Sequence, residues 1–587
     1  MSRATGWIQD PGTLENLIKV VEVFDHNTQT HNDLVINIPG KVLEKDGRKN
    51  LIKQLNSSNG YRNYPKISYR GLVGTAFKPR ASARCNGIIQ ALIPGQRRPF
   101  ISDWPANNFI RWAQTFGFIE YSATDDAYSI TDFGLRLTQA SNVTQQFDIL
   151  KEALLQYPPV TRVLELLYDQ YNNNPQTPLL TKFELGAELG FRGEDGFTTY
   201  PQQLVVQVIT IRPQDKNKML SDWEGSSDKY ARMICGWLSH HKIGWVSQQT
   251  KTVSVVIGGQ RFTNDIPQSY RITPQGVQAF RTSRARSRHR YVPKRVLFEM
   301  LATKGPDRDY LRTRRALGLQ YLHAWRTLNQ IMIHLDNQGF NNIPQAAIKD
   351  EISNFMRIGL DVRQNGQGQF RIIDRIVGLA IPTLAIPQLL PSHITRMKLN
   401  MSTYIKHVDH SYFDLIDLGF DGKQNKLYEL RIVDLLNLLH NFMAQHLPGP
   451  NRPEIIAYYP DTNPQTGVIT DCKAYSTGFS LPNSERDKMV RYLNEYQQKN
   501  PSLNSNKWWE KFKSPGYPQD IRYCFVSSNF VGQYLTQMNY INLQTGVAGG
   551  AITSKVLIEK VDAILDPVNS YSVASLLSEL SNNTLVP

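Results

Sequence analysis

Two stretches of this chain carry the same succession of local patterns, and that repetition constrains the fold more than any other feature. Asn108–Gly134 (NFIRWAQTFGFIEYSATDDAYSITDFG) reads as an amphipathic helix, a glycine turn, a strand, a polar turn and a second strand. Thr131 then stands where the next helix needs an N-cap. Arg232–Gly276 repeats the order at greater length: RMICGWLSHHKIGWVSQ, then QRFTNDIPQSYRITPQG, with Thr273 in the capping position. A helix followed by a two-stranded wing is the pattern of a winged-helix unit, a relative of the helix-turn-helix that reads the DNA major groove. A third, weaker candidate is Tyr310–Ile373, helical throughout and closed by the strand-like QFRII. Helix–hairpin units also serve protein contacts, so charge has to arbitrate.

The charge favours a polyanion. Lys and Arg number 66 against 51 Asp and Glu, a formal +15, and the excess is uneven. Between Arg281 and Arg295 lie Arg284, Arg286, Arg288, Arg290 and Lys294 with no acid among them, and Arg312, Arg314 and Arg315 follow. Such a run is either a solvated loop or a phosphate contact; cations at this density repel one another unless an anion is near, which favours phosphate. The repeats and this run together predict double-stranded DNA as partner. Other classes find little support. Cys85, Cys235, Cys472 and Cys524 form no C-x-x-C, and His240–His241 and His407/His410 lack a second cluster at zinc spacing. No G-x-x-x-x-G-K-[ST] occurs. With no secretory h-region and no apolar run of about 18 residues, a cytoplasmic protein without membrane contact is expected.

After Ile373 the composition changes. VGLAIPTLAIPQLLPSH sets Pro382, Pro387 and Pro391 at close spacing, which blocks continuous helix and predicts an extended linker. Beyond it, Asn425–Met443 carries a helical stripe of Leu427, Leu430, Val433, Leu436, Leu439 and Phe442. Asn451–Lys473 then supplies an acid, Glu454, and an Asp-x-Lys, Asp471 and Lys473. Alternation puts Asp471 and Lys473 on one face of a strand. A hairpin pairing Tyr459 with Val468 sets Glu454 opposite Lys473. Two carboxylates and a lysine in one volume suit a magnesium-dependent phosphodiesterase, because magnesium takes oxygen ligands and a lysine can neutralise an oxyanion. An acid ahead of a D-x-K also arises by chance in a long chain. Glu429, on the preceding helix, is a candidate auxiliary acid but reads more readily as an exposed helix residue. An amphipathic helix over Asp487–Gln498 and a strand over Arg522–Ser527 complete an α/β domain.

Several of these segments closely resemble the FokI-type, type IIS restriction endonucleases of the PD-(D/E)xK superfamily, over nearly the whole chain. They are GWIQDPGTLENLIKVVEVFD (Gly6–Asp25), GFIEY (Gly117–Tyr121), WEGSSDKYARM (Trp223–Met233), VPKRV (Val292–Val296), LRTRRAL (Leu311–Leu317), DCKAYSTGFSLP (Asp471–Pro482) and NKWWE (Asn506–Glu510). The resemblance implies a multidomain chain: helix-turn-helix or winged-helix-like α+β recognition domains over 1–145, 146–290 and 291–380, a linker over 381–398, and an α/β cleavage domain over 399–587. It implies recognition of a short asymmetric duplex site and cutting of both strands at a fixed distance outside it, in a bacterial cytoplasm and with a separate protecting methyltransferase.

The family's catalytic positions fall on Glu454, Asp471 and Lys473, with Glu454 and Asp471 as Mg²⁺ ligands. The chain departs at the first, having Pro453-Glu454 where the family has Pro-Asp, and again at Ile455 and Ile456. Asp487 and Arg491 match the dimerisation pair, which implies a monomer whose cleavage domains dimerise transiently on DNA. Base reading is implied for Gln9, Asp10, Arg80, Trp104, Glu224 and Lys229, while Arg284, Arg286 and Arg288 of the basic run are the phosphate candidates. Asp10 replaces an Asn, and Ser221 and Asp222 replace Asn residues. Asp can only accept, so its natural partner is the cytosine amino group, and the recognised site is expected to differ from that of the best-known relative. The alternative motivated by Glu454 is a sequence-specific DNA-binding protein whose nuclease domain is inactive or only nicks.

Overall fold

The computed structural model describes residues 13–76, 84–257, 260–284, 294–303, 305–374, 376, 390–512 and 516–587. Two compact units divide the chain: Met1–Gly190 with Lys229–Thr250 and Pro267–Leu390, and Phe191–Asp228 with Lys251–Ile266 and Pro391–Pro587. No helix among the described residues is long and apolar enough to cross a membrane.

The two repeats fold by the same local chemistry. The helix Asp103–Thr115 precedes a sheet in which β1 (Ile67–Ser68), β2 (Ile119–Ser122) and β3 (Ala127–Ile130) lie in the order β1-β3-β2. The helix Ser226–Leu238 precedes a second sheet, where β4 (Leu180–Thr181), β5 (Val246–Ile257) and β6 (Gln260–Ile272) lie in the order β4-β6-β5. The turns into these hairpins use Gly117 and Gly244, at φ +77° and +67°, backbone that favours glycine. Thr131 Oγ1 donates to the Gly117 carbonyl at 2.6 Å and accepts from the Gly134 N–H at 3.0 Å, starting the helix Asp132–Thr138. Thr273 does the same between the Gly244 carbonyl (2.7 Å) and the Gly276 N–H (3.1 Å), starting Pro274–Arg284. A Cβ on Gly134 would lie 2.1 Å from the Phe118 carbonyl, and one on Gly276 2.1 Å from that of Trp245, so each helix can approach its hairpin only through a glycine. Trp112 and Trp237 meet edge to face, centroids 4.4 Å apart, in the core beneath.

The third segment is less purely helical than its sequence suggests. Helices Arg308–Tyr321, Leu328–Asn337 and Gln345–Arg357 are followed by β7 (Val362–Gln364) and β8 (Phe370–Ile372), which pair as a small antiparallel hairpin. Arg312, Arg314 and Arg315 do not extend a phosphate-facing surface. All three are buried: Arg312 pairs with Glu299 and Asp309, Arg314 with Glu351, and Arg315 with Glu351 and the Leu301 carbonyl. Acids distant in sequence turned these arginines inward.

The second unit holds a five-stranded sheet. Its strands are β9 (Met443–His446), β10 (Ile455–Tyr459), β11 (Thr466–Lys473), β12 (Asp520–Ser527) and β13 (Gly549–Thr553), in the order β13-β12-β11-β10-β9. β9, β10 and β11 are antiparallel neighbours, and β11, β12 and β13 run parallel. The helices Asn483–Gln498 and Tyr534–Thr545 make the two parallel crossovers. They cover one face, where Ile456, Tyr458 and Ile469 pack with Met489, Leu493, Trp508, Phe525 and Met538. Of the segment read as linker, residues 381–389 lie outside the described residues, and from His393 the chain is already the helix His393–Met401.

Two local expectations are corrected. Val468 pairs with Ala457 rather than Tyr459, and Tyr459 with Thr466, because the turn is tighter than the one assumed. A slip of two residues keeps every side chain on its face, so the convergence of Glu454 with Asp471 and Lys473 survives it. The helix after Asn425 ends at Leu436 rather than running to Met443. Asn437 bonds both backbone groups of Ala444, at 2.8 and 3.1 Å, and turns the chain into β9.

Candidate active site

Glu454 shares its sheet face with Ile456 and Tyr458, and Asp471 and Lys473 share theirs with Ile469, so the polar trio ends an otherwise apolar stripe. Lys473 Nζ lies 2.9 Å from Asp471 Oδ2 and 3.1 Å from Glu454 Oε1. Glu454 Oε2 accepts the Cys472 N–H at 2.6 Å, which fixes the longer side chain against β11. A third acid was not foreseen. Glu485 Oε2 lies 3.1 Å from the same ammonium, from the first turn of Asn483–Gln498. That helix starts at Asn483, ahead of the expected Asp487. An acid just after Pro482 was the available signal, since acids favour a helix's first turn.

Burial, then the Asp471 charge, pushes the Glu454 carboxyl well above its ordinary value. Burial also raises Asp471. Burial opposes the Lys473 charge, but Asp471, Glu454 and Glu485 outweigh it and raise the ammonium's pKa. For Glu485, burial is overcome by the Lys488 hydrogen bond and the Lys473 charge, which hold its carboxyl below the usual range.

Glu429 is not an exposed helix residue. It is buried, accepts from Lys426 Nζ at 2.6 Å, and is hydrogen-bonded to His446 Nε2 at 2.8 Å. Burial keeps His446 below its ordinary pKa, Lys426 Nζ lies 3.1 Å from the same ring nitrogen, and the edge of Trp223 packs on its ring.

Among the described residues, no three of His, Cys, Asp and Glu are grouped to hold a metal. Glu454 and Asp471 are nevertheless a fitting pair for a hard dication. Each carboxyl is pushed toward its neutral form by burial, and Glu454 further by its neighbour's charge, a repulsion that a dication removes. Magnesium needs only one or two protein carboxylates beside waters and phosphate oxygens. The histidines carry no such arrangement: His240 bonds Glu15 at 2.8 Å and His410 bonds the Ile405 carbonyl at 3.1 Å.

The remaining candidates are spread through the chain. Gln9, Asp10, Arg80, Arg286 and Arg288 lie outside the described residues. Trp104 lies in the first turn of the helix Asp103–Thr115 and is 51 % exposed. Glu224 is buried and Lys229 half-buried. Asp228, in the same motif, accepts from the Gly225 N–H at 2.8 Å and the Tyr200 N–H at 3.2 Å and is a structural acid. Arg284 is paired with Glu165 and stacks on Phe280. Asp487 and Arg491 are exposed and do not pair with each other: Asp487 takes Arg486 at 2.7 Å, and Arg491 lies 3.6 Å from Glu495.

Comparison with known proteins gives matches along most of the chain. The FokI recognition domain, subdomain 1, matches residues 3–140, and subdomain 2 matches 147–285; the FokI D3 domain matches 301–367 and the FokI cleavage domain 391–586. The type II restriction enzyme FokI of Planomicrobium okeanokoites is 35 % identical over 565 residues, covering 95 % of this chain and 94 % of that one. The type II restriction enzyme StsI of Streptococcus sanguinis is 28 % identical over 558 residues, 92 % and 88 % of the two chains. The solved structure of restriction endonuclease FokI bound to DNA superposes with a TM-score of 0.90 at 34 % identity, covering 99 % of each chain. That of FokI alone gives 0.88 at 33 % identity over 100 % of each.

Proposed function

The chain belongs to the FokI family of type II restriction endonucleases, and on that premise we propose that Glu454, Asp471 and Lys473 form its hydrolytic centre. It is a type IIS restriction enzyme, a site-specific deoxyribonuclease with N-terminal recognition subdomains and a C-terminal cleavage domain, and it binds double-stranded DNA. The observation that carries the catalytic reading is one ammonium, Lys473 Nζ, within 3.1 Å of both Glu454 and Asp471.

Glu454 and Asp471 would hold Mg²⁺, which when bound supplies a Lewis acid for a phosphoryl oxygen and a water of lowered pKa. Lys473 acts as a point charge that neutralises the developing oxyanion and orients the attacking water. The Cys472 N–H keeps the glutamate at position 454 from swinging out on its extra methylene, and supports activity despite the departure from Asp. Trp104, Glu224 and Lys229, with Gln9, Asp10 and Arg80, are the proposed base-reading residues; Arg284, Arg286 and Arg288 are the proposed phosphate contacts. One site cuts one strand, so a double-strand cut brings two cleavage domains together. Exposed Asp487 and Arg491 suit a reciprocal two-fold contact of this kind, once each leaves its neighbour on the helix. The matching methyltransferase is a separate protein, and a bacterial cytoplasm is the setting.

Incubation of plasmid with the full-length protein and Mg²⁺ tests the reading. Discrete fragments are expected, absent in EDTA and with Lys473→Ala, and mapping their ends gives the site and cutting distance. A specific gel shift without any cutting overturns it in favour of a DNA-binding protein with a silent nuclease domain.

A further inference from the structure

Lys473 has three ammonium protons, and three acids from three elements surround it: Glu454 just ahead of β10, Asp471 on β11, and Glu485 on the helix Asn483–Gln498. The first two are the proposed metal ligands, so their oxygens cannot serve the lysine alone once a cation is bound. A dication would also repel the ammonium at this range. We propose that Glu485 is a positioning residue for Lys473, holding the ammonium in the cleavage centre while Glu454 and Asp471 turn to the metal. The inference rests on the reading of those three residues as the hydrolytic centre.

Two observations separate this role from an ordinary helix-surface acid. Glu485 is anchored at its other oxygen, where Oε1 accepts from Lys488 Nζ at 2.7 Å, so the carboxylate is not free to rotate away. Its Oε2 is buried, and the cation it faces among the described residues is Lys473 Nζ at 3.1 Å. A surface acid paired only with Lys488 would leave that oxygen in water. Here it is aimed into the site, with its charge toward the lysine. An amide at this position could still accept one hydrogen bond but could not offset a cation on the lysine's far side.

The test compares single-turnover plasmid cleavage by the full-length wild type, Glu485→Gln, Glu485→Asp and Lys473→Ala at saturating Mg²⁺, with gel-shift affinity and thermal midpoint measured alongside. Glu485→Gln is expected to slow cleavage by on the order of ten- to a hundred-fold, the scale of misplacing a catalytic group by about an ångström. The DNA concentration for half-maximal binding and the thermal midpoint should stay at the wild-type values, and Glu485→Asp should restore part of the rate. Wild-type cleavage by Glu485→Gln beside inactive Lys473→Ala overturns the role of Glu485 and leaves the hydrolytic reading intact. Cleavage by Lys473→Ala at the wild-type rate overturns that reading itself. If Glu485→Gln loses thermal stability and affinity together with rate, and the charged Glu485→Asp does not recover cleavage, Glu485 is structural and the proposal fails.

Discussion

Each compact unit contains a cluster of buried charge, and the two clusters are matched differently. In the first, Arg308, Arg312, Arg314 and Arg315 face Glu299, Asp309 and Glu351, with a backbone carbonyl taking a further guanidinium hydrogen. In the second, Glu454, Asp471 and Glu485 all face Lys473, and Glu485 also pairs with the exposed Lys488. Planar guanidinium forks pair with each of these carboxylates, so the first cluster leaves no unmatched negative charge to draw a cation, although Arg312 Nε and Arg314 Nε have no hydrogen-bond partner among the described residues. Lys488 serves Glu485 from outside, so the strand acids Glu454 and Asp471 have one ammonium between them and share it with a third acid; both are pushed toward the neutral form. The balanced cluster holds the fold; the unbalanced one is prepared for a cation.

The largest effect that would break this contrast concerns Asp471→Asn. Cleavage should fall by about three orders of magnitude, the scale of losing a charge-stabilising group from a hydrolytic centre. Thermal stability without divalent cation should hold or rise, because the substitution relieves repulsion with Glu454. A midpoint that drops by many degrees would show these acids to be structural and erase the distinction. The balanced cluster should do the opposite. Glu351→Ala strands Arg314 and Arg315 in the interior and should cost about 3–5 kcal/mol of unfolding free energy, read from denaturant titration. Arg314→Ala should leave the salt dependence of DNA binding unchanged, since that guanidinium is buried.

These clusters also mark where the sequence stops being legible. The D-x-K face was readable because a strand's period of two is a local rule, and even a two-residue slip in the β10–β11 register preserved it. The Thr131–Gly134 and Thr273–Gly276 caps were readable for the same reason, each being settled within four residues. The inward turn of Arg314 depends on Glu351, 37 residues away, and the burial of Glu429 on His446, 17 residues away. Neither partner can be named from a helix pattern, so those charges read as solvent-facing. Glu485 was missed because the helix start was placed at Asp487, after it, and because its contact with Lys473 is tertiary.

A smaller effect follows from pH. Glu454 titrates above its ordinary value near 4.5 in the folded chain, so folding binds its proton more tightly than unfolding does. Its stabilising contribution is complete below about pH 4.5 and is lost as pH rises through the folded value. Without divalent cation, Glu454→Gln should therefore gain stability over wild type between about pH 5 and pH 8. Millimolar Mg²⁺ should close that gap by stabilising the wild type alone; a gap indifferent to Mg²⁺ would argue against Glu454 as a ligand.

The smallest effect sharpens the contrast with a second acid-rich lysine in the same unit. Lys398 Nζ meets Asp417 at 2.7 Å and the Gly193 carbonyl at 2.9 Å, with Asp195 nearby. Burial, then Asp417, pushes the Asp195 carboxyl up to about 6. By the same sign, its contribution is present below the ordinary value near 3.8 and is lost as pH rises through about 6. Asp195→Asn should thus add about 1–2 kcal/mol at pH 8, about half as much at pH 5 and little at pH 3, after allowing for partial exposure. This lysine also donates to a backbone carbonyl, and Asp195 and Asp417 are not paired strand residues at the end of an apolar stripe. Mg²⁺ should leave the Asp195→Asn difference unchanged. If it instead closed that gap as it does for Glu454→Gln, acid excess around a lysine would be the whole signal, and the geometry of Glu454 and Asp471 would add nothing to it.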